Sequence, residues 1–77
     1  MKVTGIKGKR DYIDVYFGEK VVRIYGELVI GGFIASANTI KQWKVPEGEP
    51  ISEAEKKEIM DAVIEKTKGS HLTITFE

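Results

Sequence analysis

From Asp11 to Phe17 the chain alternates without a break: Ile13, Val15 and Phe17 point one way, and Tyr12, Asp14 and Tyr16 the other. Gly18-Glu19 then suits a two-residue type II′ turn, which favours glycine at its first central position. Lys20 to Tyr25 follows as the return strand. The turn dictates a register: Phe17 opposite Lys20, Tyr16 opposite Val21, Val15 opposite Val22, Asp14 opposite Arg23, Ile13 opposite Ile24, Tyr12 opposite Tyr25. Two apolar pairs fall on one face. An opposite-charge pair and a tyrosine pair fall on the other. Each such pair contributes about 0.2–1 kcal/mol relative to alanines, and a one-residue slip would lose the matches.

The same patterning continues on both sides of this hairpin. Lys2 to Lys7 alternates weakly and predicts a short first strand, with a turn at Gly8-Lys9-Arg10. Gly26 interrupts the alternation. Glu27 to Ile30 and Phe33 to Ala37 read as further strands around a Gly31-Gly32 turn. Asn38 to Trp43 suits a helical turn or an edge strand equally, and Val45 to Pro50 is a loop. Ser52 is a good helix N-cap, and Glu55 completes a capping box. The apolar stripe of that helix is Ile59, Met60, Val63, Ile64 and Thr67, and Gly69 stops it. His71 to Glu77 alternates again, placing Leu72, Ile74 and Phe76 on an apolar face.

These elements predict a single α+β domain over residues 1–77: a small antiparallel sheet of four to six strands, one helix in the C-terminal half packed on one face, then a last strand. The helix stripe is expected to cover Ile13, Val15, Val22, Ile24, Leu72, Ile74 and Phe76. The three tyrosines are then left on the opposite face.

Composition narrows the function. The 77 residues are 42% hydrophobic and 31% charged, as in a globular chain with a thin core. There is no cysteine, so neither a disulfide nor a thiolate metal site is expected, and a reducing, cytoplasmic setting suits the chain. The basic N-terminus lacks the apolar run of a secretory signal, and no stretch approaches the roughly 18 apolar residues of a membrane span. Twelve basic residues balance twelve acidic ones, which argues against nucleic acid as the main partner. The charge is unevenly spread. Residues 1–45 hold eight basic and four acidic groups, a net +4, and residues 46–77 hold four and eight, a net −4.

The inventory for catalysis is poor, and no catalytic residue, metal site or cofactor is expected. His71 is the one histidine and reads as a partly exposed turn residue. Ser52 is explained as a cap, and Ser36 has no base nearby in sequence. Gly31-Gly32 lacks the following lysine and helix of a phosphate loop. A binding surface fits better. Tyr12, Asp14, Tyr16, Arg23 and Tyr25 form a compact patch of residue types enriched at interaction hot spots. Trp43 reads either as a plug over the end of the core or as a contact residue beside that patch.

Gly26-Glu27-Leu28, Gly32-Phe33, Thr39-Ile40-Lys41-Gln42-Trp43, Pro46, and Ile51-Ser52-Glu53-Ala54-Glu55-Lys56 with Ile59 together resemble the Immunity protein 74 family, over about residues 20–64. The sequence departs from that pattern at Lys44-Val45, where an acidic residue and a proline are usual. The resemblance implies a small bacterial protein of a polymorphic toxin system, made beside a toxin and neutralising it by binding. It implies that Glu27 and Trp43 matter most, and both stand with Tyr12, Asp14, Tyr16, Arg23 and Tyr25 as candidate partner-binding residues. A basic toxin would fit the acidic half. Two other readings stay open: a self-associating domain, as a homodimer through the tyrosine face, and a weak single-stranded nucleic-acid binder stacking bases on that face.

Overall fold

The β2–β3 hairpin organises the structure. The computed structural model describes residues 1–77. Its elements are β1 (Gly5–Gly8), β2 (Tyr12–Phe17), β3 (Lys20–Val29), β4 (Gly32–Ala35), a 3₁₀ turn at Ala37–Thr39, α1 (Glu53–Thr67) and β5 (Thr73–Phe76). Strands β2 and β3 pair in the predicted register, from Phe17 opposite Lys20 to Tyr12 opposite Tyr25. Gly18 has φ +66° and no non-glycine residue has positive φ, as a type II′ reversal with glycine first requires.

The sheet runs β1-β2-β3-β4-β5 in order. Three pairings are antiparallel, as expected, but β4 and β5 are parallel, so the sheet is mixed. Residues 36–72, containing α1, carry the chain back to the starting end of β4, and a parallel neighbour needs a crossover of that kind. Strand β3 continues past Gly26, where the backbone passes tight against β4. A Cβ on Gly26 would run into the Ile34 carbonyl and lie 2.8 Å from Ala35 Cα. The first strand begins at Gly5 rather than Lys2, although Thr4 N–H still donates to Tyr16 O at 2.7 Å.

One face of the sheet holds the core. Ile13, Val15, Val22 and Ile24 are fully buried and share a cluster with Phe33, Ile74, Trp43 and, from α1, Ile59 and Val63. Burying each side chain of this size contributes about 1.5–3 kcal/mol. Ser52 caps α1 by accepting from Glu55 N–H at 3.1 Å. The buried Thr67 hydroxyl donates to Val63 O and accepts from Ile74 N–H, tying the end of α1 to β5.

Two expected core residues are outside it. Ile64 lies about 100° around the helix from Val63, too far round for a narrow sheet to cover. Leu72 falls in the bend before β5, where alternation has not begun.

Candidate functional site

The outer face of the hairpin carries the candidate residues, and alternation puts them there. Tyr12 and Tyr25 face each other across β2 and β3 with ring centroids 5.8 Å apart, tilted at 58°. The Arg23 guanidinium lies 3.8 Å from the Tyr12 ring centroid. It also grips Asp14 with two bonds: Nε donates to Oδ1 at 2.8 Å and Nη2 to Oδ2 at 2.9 Å. Lys44 Nζ reaches Asp14 Oδ2 at 3.5 Å from the other side. Lys7 sits over the Tyr16 ring. Tyr25 is 48% exposed, Tyr12 and Tyr16 are partly exposed, and Asp14 is buried beneath its two cations.

This arrangement is electrostatically settled. The Arg23 hydrogen bonds hold the Asp14 carboxyl below its ordinary value of 3.8, against the opposing effect of burial, with Lys44 assisting. Asp14 in turn raises the Arg23 guanidinium above its ordinary value. Arg23 is thus fixed between a carboxylate and an aromatic ring, and its planar fork is held ready rather than swinging free.

Glu27 lies two residues beyond Tyr25 on the same face of β3, exposed and in no ion pair. Trp43 is elsewhere. It is 1% exposed and belongs to the core, with Phe17 edge-on at 5.9 Å and Lys20 Nζ 4.7 Å over its ring. Its Nε1–H is buried without an acceptor.

A cavity of about 550 Å³ adjoins the tyrosine face. Arg23 and Tyr25 form one wall; Thr39, Lys41, Gln42, Trp43, Lys44 and Glu47 form the other. The second wall exists because the 41–50 loop folds against β3: Val21 and Val45 exchange backbone hydrogen bonds at 3.0 and 3.1 Å, and Lys44 N–H donates to Val21 O at 2.8 Å. That contact brings Lys44 to Asp14 and Lys41 to the cavity. Neither lysine has a signal in the local pattern, because the pairing joins segments far apart in sequence.

No group of three or more histidine, cysteine, aspartate or glutamate side chains is placed to hold a metal. His71 is exposed in the bend before β5, away from this face. No helix is long and apolar enough to cross a membrane.

Fold and face together define a small α+β domain that presents an ordered aromatic and ionic sheet surface. The chain belongs to the Immunity protein 74 family, whose model matches residues 5–77. The comparisons with curated proteins and with solved structures gave no match.

Proposed function

We propose that this chain is a non-catalytic protein-binding module that neutralises a partner toxin by covering it, and that the outer face of β2 and β3 makes the contact. Membership of an immunity family supports the class of partner. The observation that carries the choice of surface is the locked Tyr12–Arg23–Asp14 cluster beside the half-exposed Tyr25. Tyrosine and arginine held in one conformation lose little entropy on binding. Tyr12, Tyr16, Arg23 and Tyr25 are the contact residues in this reading, with Asp14 fixing Arg23 and Glu27 at the rim. Trp43 acts from beneath, by packing. A toxin acting inside the cell would be met in the cytoplasm, a setting that suits a chain without cysteine.

The acidic helix and the tyrosine face lie on opposite sides of the sheet, so one flat partner surface meets only one of them. The tyrosine face is the better organised of the two. The test is a titration of this chain against the purified product of the reading frame beside its own. A stoichiometric complex that suppresses toxicity is expected, and Tyr25→Ala should weaken it roughly 30-fold, the loss of a hot-spot side chain worth about 2 kcal/mol. Wild-type affinity in both Tyr12→Ala and Tyr25→Ala would remove this face from the interface.

A further inference from the structure

The cavity beside Tyr25 opens at a break in the sheet. Ladder alternation turns the N–H and C=O groups of Val21, Arg23 and Tyr25 away from β2. Those of Val21 go to Val45. Tyr25 N–H donates to Thr39 Oγ1 at 3.1 Å, and Tyr25 O accepts from Ser36 N–H at 2.8 Å. Arg23, between them, has no loop partner for its backbone, and it lines the cavity. Opposite stand Lys41, in no ion pair or side-chain hydrogen bond, and Lys44, held only by its 3.5 Å contact with Asp14. Trp43 backs the same wall from the core. The lining has three cations, Arg23, Lys41 and Lys44, against one carboxylate, Glu47; Asp14 beneath it binds Arg23 and Lys44, so the local balance is still positive and Lys41 is the cation left without a carboxylate.

We infer that this cavity receives an acidic side chain from an extended segment of the partner protein, its carboxylate between Lys41 and Lys44 and its backbone bridging the free N–H and C=O of Arg23. A short extended peptide matches an unpaired strand edge, and a carboxylate matches paired lysines. A basic side chain would instead meet the unpaired Lys41 and the remaining positive balance of the lining. The inference rests on the binding reading above and deepens it: the partner surface seen by this side of the sheet is acidic, although the chain as a whole is neutral.

The test needs no partner. The full chain, labelled with ¹⁵N, is titrated with N-acetyl-glutamate amide, with N-acetyl-glutamine amide and with inorganic phosphate. Saturable millimolar shifts at the Arg23 amide and along residues 41–44 are expected with the glutamate probe and not with the glutamine probe. Lys41→Glu with Lys44→Glu should abolish them while leaving the rest of the spectrum in place. Should that pair disturb the fold, Lys41→Gln should still weaken the shifts. Equal response to glutamine, no saturation with glutamate, or saturation with phosphate alone overturns the inference. A positive titration with a failed toxin complex would sink the immunity reading and leave the carboxylate site standing; the reverse result would sink only the site.

Discussion

Asp14 shows how a single residue can organise a surface. Alternation put it on the outer face, and its placement opposite Arg23 followed from one turn, so this pair was legible in the sequence. Its burial was not, because Lys44 arrives from a distant loop. The pair also makes stability depend on pH. Asp14 is held below its ordinary 3.8 in the folded chain, so the unfolded chain binds its proton more readily. The stabilisation is complete above about pH 5 and is lost as pH falls through the lowered folded value. Asp14→Asn is therefore expected to be less stable than the wild type in urea at pH 7, with the gap closing in acid. A gap of constant size across that range would contradict this account of the pair. Trp43 illustrates the opposite case. The sequence left it between plug and contact residue, since a tryptophan before a loop satisfies both patterns. Packing places it in the core, and Trp43→Ala should cost about 3–5 kcal/mol, measured by chemical unfolding. Such a loss is comparable with the whole stability expected of a domain this small. Trp43→Phe should cost clearly less, because it keeps most of the ring packing and removes an N–H that has no acceptor.

At the scale of elements, the parts defined by neighbours in sequence were the legible ones. The hairpin register came from alternation and Gly18. The helix came from Ser52, Glu55 and Gly69, and α1 runs from Glu53 to Thr67 as those signals require. Ser52→Ala should lower stability by about 1 kcal/mol, read from the urea midpoint, by removing the acceptor for Glu55 N–H. An unchanged midpoint would mean that solvent replaces the cap without loss. Strand direction was not legible in the same way. An alternating segment reads the same whether it pairs parallel or antiparallel, and only the crossover through α1 decides that β5 runs with β4. Ile64 and Leu72 show the same limit at element edges. Both have apolar side chains at plausible spacing, and both lie beyond what the sheet covers.

For the whole molecule, the thin core means that sheet and helix depend on each other. Ile59 and Val63 close the inner face of β2 and β3, and without them that face would meet water. Deletion of residues 52–68 should therefore abolish cooperative thermal unfolding. The same two-layer design sorts the surfaces: one side presents tyrosines, Arg23 and the lysine-lined cavity, while the other presents an acidic helix. The sequence indicated the uneven charge but not which side a partner would use. Cross-saturation NMR on a complex with the neighbouring gene product would decide it, since magnetisation passes only to amides at the contact. Losses at Tyr12, Arg23, Tyr25 and residues 41–44, with α1 unaffected, are the predicted result. Losses concentrated on Glu53–Thr67, with the hairpin untouched, would contradict the account.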